Sequence, residues 1–402
     1  MATFCEPKRE LPIYGAYDTV VVGGGFAGVA AALAAARGGN KVLLCEREFM
    51  LGGLGTAGLV TIYLPLCDGL GHQVSFGIAE ELLKLSIQNG CEAEYPKAWL
   101  EGGTYEEKCA KRYRLRYNAA LCAILYEKKL LEEGVELLYG THVCAVSVDE
   151  GCINHLIMEN KSGRCAVEVG NVIDCSGDAD ICALAGEDTK LYTKGNILAG
   201  WYYYCDDGKF NLQMVGASDV PDDEAKRKEM ERAVGAKRYS GLGGKELTEQ
   251  MIDSHDATYR HFLRKGDLTD DHCLATMASI PQVRMTRGLY TGFALDVSHD
   301  KVHFDDSVGL FSNWKKKGPV YELPYRILHG GKIKNLAAAG RAVSATEDMW
   351  DVTRVIPVCA VTGEAVGTAA ALGKNFDEIE ITALQNKLRE NGVKLHVEEV
   401  LE

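Results

Sequence analysis

The stretch DTVVVGGGFAGVAAALAAARGGNKVLLCER, Asp18 to Arg47, carries the fold in its order of residue types. Thr19 to Val22 is a short β-branched run of the kind that forms a buried parallel strand. Gly23, Gly25 and Gly28 follow as G-x-G-x-x-G. In that pattern the first glycine permits the tight turn, the second lets a phosphate approach the main chain, and the third lets a helix pack against the strand. From Phe26 to Arg37 alanine dominates, a good helix former and small enough for close packing, and Gly38-Gly39 ends the helix. A second strand is predicted over Lys41 to Cys45, closed by Glu46, 18 positions after Gly28. An acid at that place accepts hydrogen bonds from ribose hydroxyls and disfavours a 2′-phosphate. Strand, turn, helix, strand and acid fall in the order a dinucleotide site requires.

Outward from this segment, the 402 residues, 47% hydrophobic and 25% charged, give material for one large or two ordinary domains. The formal net charge of -13 argues against unspecific nucleic-acid or anionic-membrane binding. The 14 cysteines are spread along the chain with no C-x-x-C pair and no tight Cys/His cluster, so no metal site is expected. Cys45, Cys175 and Cys182 sit inside apolar runs as small hydrophobes, which fits a reducing, cytoplasmic setting. Thr19 to Ala36 is an uncharged run of 18 residues, near the lower limit for a membrane span. Three adjacent glycines break it, so it reads as strand, turn and helix, and no transmembrane segment is expected.

Three further stretches resemble one family. ER…LGGLGTAG (Glu46 to Gly58), GNVIDCSGDAD (Gly170 to Asp180) and IKNLAAAGRAVSAT (Ile333 to Thr346) are similar to the returning motifs of the glutathione-reductase-type FAD superfamily. The run from Ala338 to Leu372, AAGRAVSATEDMWDVTRVIPVCAVTGEAVGTAAAL, resembles the ending of the broad group of FAD-dependent oxidoreductases. The resemblance implies FAD as cofactor, held by Gly23, Gly25, Gly28, Glu46, Arg47, Gly53, Thr56, Val143, Gly177, Gly340, Arg341, Ser344 and Gly363. It places Arg341 where many relatives carry an acid, which moves the ribityl contact to the main chain or Ser344. After Pro357 a small-residue helix begins, and the resemblance implies that its N-terminus points toward the flavin ring.

The fold expected is α/β, a Rossmann-like FAD-binding domain with an interleaved mixed α+β substrate domain. The FAD-binding domain is drawn from residues 15–75, 115–185 and 331–375, with a small antiparallel sheet over 143–169. A helical and loop excursion covers 76–114, the substrate domain 186–330, and a tail 376–402. Residues 1–17 read as a loose lead with Pro7 and Pro12, Asp222 to Arg232 as a charged helix, and Trp201 to Tyr204 as a strand.

The candidates for chemistry are His72 as a base in a glycine-rich loop, Arg287 beside Arg284 as a carboxylate fork, Tyr325 as a proton donor, and Arg354 as a flavin or substrate contact. Only one complete dinucleotide fingerprint is visible, and no dithiol pair. The leading expectation is hydride transfer between flavin N5 and a small organic substrate. One alternative is a subunit passing electrons to a partner protein. Another is non-redox modification, which sits poorly with the acidic charge when the target is RNA. Oligomer formation is left open.

Overall fold

The computed structural model describes residues 3–217, 224–225, 228, 235 and 237–401. The β-branched run Thr19 to Val22 is the inner half of a longer strand, β1 (Ile13–Val22). The lead expected over residues 1–17 therefore gives way to strand at Ile13. The cause is tertiary: the Tyr14 and Tyr17 hydroxyls each donate to Glu136 at 2.7 Å, while Ile13, Ala16 and Tyr17 pair with Ala166, Glu168 and Val169.

Six more strands complete this sheet: β2 (Val42–Cys45), β3 (Glu136–Leu138), β4 (His142–Asp149), β5 (Cys152–Asn160), β6 (Gly163–Asp174) and β7 (Leu336–Ala338). Parallel pairing runs in the order β3-β2-β1-β6-β7. β6 is long enough to change partners. Gly163 to Glu168 pairs antiparallel with β5, which pairs with β4, and Val172 to Asp174 pairs with β7. This is a Rossmann-like α/β layer with an antiparallel extension.

The helix α1 occupies Phe26–Arg37, as the alanine run implies. Across it lies α2 (Ile356–Leu372), buried on nearly every side. A Cβ added at Gly363 would meet Ala27 O at 2.2 Å, and one at Gly367 would meet Ala31 O at 2.3 Å. The two helix backbones touch, which only glycine allows. Because α2 starts at Ile356 with Pro357 in its first turn, Gly363 lies about two turns inside it, away from the N-terminus. The preceding helix, Glu347–Thr353, meets α2 at 87°, so Arg354 and Val355 form a sharp corner. Among the described residues no single helix is long and apolar enough to cross a membrane.

Leu198, Tyr202, Tyr204, Val215, Tyr239 and Phe262 form a separate core. It lies between the helix Gly244–Leu263 and a three-stranded antiparallel sheet whose middle strand, Ala199–Asp206, contains the expected Trp201 to Tyr204. Of the charged helix expected over Asp222 to Arg232, only residues 224–225 and 228 are described, and they are helical; the rest lies outside the described residues.

Candidate functional site

At the carboxyl ends of β1, β2 and β6 the chain leaves a cleft, the position where open α/β sheets take ligands. Its floor is the glycine turn, and the three glycines do three different things. Gly23 has φ +103°, and a Cβ there would strike Cys175 O at 2.4 Å. A Cβ on Gly28 would lie 1.8 Å from Gly23 O, so this glycine seats the helix on the strand. Gly25, by contrast, would direct a Cβ into open space, with nothing within 4 Å. Beside it α1 begins without a side-chain cap, leaving first-turn N–H groups that have no carbonyl partner within the helix. Gly52 N–H donates to Gly24 O at 2.8 Å and draws the Gly52–Gly55 loop over the turn.

One end of the cleft is lined by Glu46, Arg47, Glu48, Thr141, His142 and Val143. Glu46 is 7% exposed. Its Oε2 accepts from Gly24 N–H at 2.6 Å and its Oε1 from Glu48 N–H at 2.9 Å. Burial pushes the Glu46 carboxyl up from its ordinary value, and the two N–H donors oppose that shift. The acid thus both shapes the glycine turn and faces the cleft.

The opposite wall is Cys175, Ser176 and Gly177, held by an acid that sequence reasoning did not single out. Asp174 is fully buried and accepts from the Ser176 hydroxyl at 2.6 Å and from Ile181 and Cys182 N–H at 2.9 and 3.0 Å. Its only sequence signal is an acid at the end of an apolar run, which a surface turn would also show. Arg341 Nε donates to Gly177 O at 2.6 Å and its Nη2 to Asp178 Oδ1 at 2.8 Å, so the guanidinium fastens this wall to Gly340.

The cleft is also lined by Arg354, Ile356 and Cys359, from the corner and first turn of α2, and by Ile280, Pro281 and Val283. Arg354 Nε donates to Asp351 Oδ1 at 3.0 Å. Burial pushes the Cys359 thiol up to about 12, against the pull of Arg341 and Arg354, so it is protonated at neutral pH. Ile280, Pro281 and Val283 come from the segment singled out in the sequence for Arg284 and Arg287, but it is these apolar residues, not the arginines, that line the cleft.

Of the residues singled out from sequence, Gly23, Gly25, Glu46, Arg47, Gly53, Val143, Gly177, Gly340, Arg341 and Arg354 line this cleft. Gly28, Thr56, Ser344 and Gly363 stand behind it. The Thr56 hydroxyl donates to Leu51 O, and the Ser344 hydroxyl to Phe293 O at 2.7 Å. Arg287 is one layer back, donating to Asp178 O at 2.9 Å and to Asp180 at 2.6 Å, while Asp180 itself lines the cleft. Tyr325 is 3% exposed and its hydroxyl donates to Phe376 O at 2.9 Å, a core contact that turns it away from the cleft. His72 pairs through Nδ1 with Asp68 at 2.8 Å in its own loop, apart from the lining residues.

The donor set suits a dinucleotide. The space over Gly25 is a cradle that a side chain would fill, bordered by first-turn N–H groups of α1 that have no carbonyl partner within the helix, for a diphosphate, and by a buried acid for a ribose.

A family model described as FAD dependent oxidoreductase matches residues 18–271 and 284–388. Among solved structures the chain is similar to p-nitrophenol 4-monooxygenase from Pseudomonas putida, with 13% identity, TM-score 0.46, and coverage of 94% of this chain and 81% of that one. It is also similar to a geranylgeranyl bacteriochlorophyll reductase-like protein from Thermoplasma acidophilum, with 11% identity, TM-score 0.45, and coverage of 94% and 83%. No curated protein matches.

Proposed function

The chain belongs to the FAD dependent oxidoreductase family, and from that membership we propose that it binds FAD non-covalently in this cleft and passes a hydride between flavin N5 and a small organic substrate. When bound, the flavin supplies the redox chemistry. The single observation that carries the reading is the open cradle over Gly25 beside the buried Glu46 carboxyl, in a cleft that Arg354 also lines.

In this reading the first-turn N–H groups of α1, at the positive end of its dipole, hold the diphosphate. Glu46 accepts ribose hydroxyls on the carboxylate lone pairs that Gly24 and Glu48 leave over. The main chain at Val143 would hold the adenosine side, and Gly177, Gly340 and Arg341, which line the same cleft, would hold the rest of the cofactor. Arg354 contacts the flavin edge or a substrate carboxylate, its fork oriented by Asp351. Arg287 keeps Asp178 and Asp180 in place behind the wall. Ile280, Pro281 and Val283 exclude water from the reacting end.

Anaerobic mixing of the FAD-loaded protein with amines, alcohols, hydroxy acids and alkenes, and with NADH and NADPH, tests this through the flavin absorbance. Bleaching by one metabolite class names the substrate. Bleaching by the nicotinamides alone would replace the proposal with a reductase. A protein that neither carries FAD nor takes it up on refolding would sink it.

A further inference from the structure

Far along the chain from the glycine turn, two histidines with no common motif meet on the surface. His303 precedes the strand Ser307–Ser312, and His396 lies in the segment after the helix Ile381–Glu390. Their rings stack with centroids 4.6 Å apart and an interplanar angle of 28°. Glu398 joins them, so that one ligand-type atom from each of the three residues lies within 4.8 Å of the other two.

Behind the pair stands Glu322, 1% exposed, on the strand Val320–Pro324. Its Oε2 accepts from Phe304 N–H at 2.8 Å and from His396 Nδ1 at 3.1 Å, and its Oε1 from Val397 N–H at 3.2 Å. His303 Nδ1 sits 3.7 Å from the same carboxylate.

A carboxylate only accepts, so His396 Nδ1 carries the proton and the lone pair of a neutral ring lies on Nε2, on the side away from Glu322. A buried carboxylate fixing the tautomer of an imidazole is the arrangement that orients histidine ligands to metals. We propose that His303, His396 and Glu398 form a binding site for one divalent ion of the zinc class, with Glu322 positioning His396. Two imidazoles and one carboxylate, with water in the remaining place, are a donor set such ions accept. A tetrahedral ion with bonds of about 2.0–2.2 Å spaces its ligands roughly 3.4 Å apart. The site therefore closes by at most about 1.4 Å on loading, and His303 and Glu398 are exposed enough to turn inward.

The ion would tie the C-terminal segment to the 307–324 hairpin. Ser307, whose hydroxyl donates to Leu395 O at 2.5 Å, already pins the same two pieces together. The histidines lie far apart in the chain, which is why no cluster is visible in the sequence and why this proposal reverses the expectation of no metal site.

The full-length protein with its flavin, stripped by chelator, is titrated with Zn2+ by calorimetry and with Co2+ by visible absorption. One Zn2+ per chain is expected, with affinity reduced at least tenfold in His303→Ala and in Glu398→Gln, and Co2+ bands lost in both. Flavin content stays unchanged in both variants, because neither residue lines the cleft. Glu322→Gln is expected to weaken Zn2+ about 10–100-fold, the usual effect of removing such a positioning carboxylate. His255→Ala, at an exposed histidine in the helix Gly244–Leu263, leaves binding as it was. No stoichiometric Zn2+ binding, or binding unchanged in a His303→Ala/Glu398→Gln double variant, overturns the proposal.

Discussion

At the scale of single residues, Gly25 and Gly28 separate binding from folding. A Cβ at Gly28 collides with Gly23 O at 1.8 Å, whereas one at Gly25 meets nothing within 4 Å. Gly28→Val should therefore cost the apo-protein about 3 kcal/mol or more, at the upper end of overpacking penalties. Gly25→Val, with φ near -66° and extended ψ, should leave apo stability within about 0.5 kcal/mol and abolish flavin retention. Denaturant unfolding of the apo forms and the flavin-to-protein absorbance ratio of the purified forms check both. Loss of flavin without loss of fold is the outcome that assigns the cradle. These glycines were legible in the sequence because main-chain geometry alone dictates them. Asp174 was not, because its role as an acceptor exists only once Ser176 to Cys182 has folded back over it. Tyr325 and Ser344 misled for the opposite reason: the motif locates the segment, but packing decides which way each hydroxyl points.

At the scale of elements, α2 carries a charge-bearing group in a place built for small apolar ones. Glu364 is 2% exposed, accepts from Ile78 N–H at 2.8 Å, and is pushed by burial from its ordinary 4.5 up to about 8. Below pH 4.5 the folded and unfolded chains both hold this proton. Between there and about 8 only the folded chain keeps it, so stability falls as pH rises through that window. At about 1.4 kcal/mol per unit the loss is on the order of several kcal/mol. Glu364→Gln should flatten this slope and be the more stable protein at high pH. Denaturant midpoints of both proteins at about pH 5 and about pH 9 measure it, and parallel slopes would refute it. Helix limits were readable where local chemistry sets them, as at α1. The start of α2 was readable for the same reason, since Pro357 stands in its first turn; the 87° corner before it at Arg354 and Val355 was not.

At the scale of the whole molecule, the parallel sheet is assembled from residues far apart in the chain. β1 and β2 come from the first part, β7 from near residue 336, and α2, which covers α1, follows it. The sequence motifs made this return of the chain legible, because each returning strand ends in small residues. The segment around Arg284 and Arg287 was legible as a candidate for the site, but not that its apolar residues 280, 281 and 283, rather than the arginines, line the cleft, because packing decides which side chains face it.

That arrangement has a consequence for how the protein is made. Synthesis runs from the N-terminus, so α1 emerges with Ala27 and Ala31 bare, and their partners Gly363 and Gly367 are translated last among the layers that meet there. Until then an alanine-rich, apolar helix lacks its cover on that face, a state prone to aggregation and to capture by chaperones. Flavin uptake must wait as well, since Gly340, Arg354 and Cys359 of the cleft are still unmade. Ribosome-arrested chains ending at residue 330 should neither hold FAD nor resist protease over the first strands, and release of the complete chain should restore both. The cofactor would then be a partner of the finished chain only, never a template for the growing one.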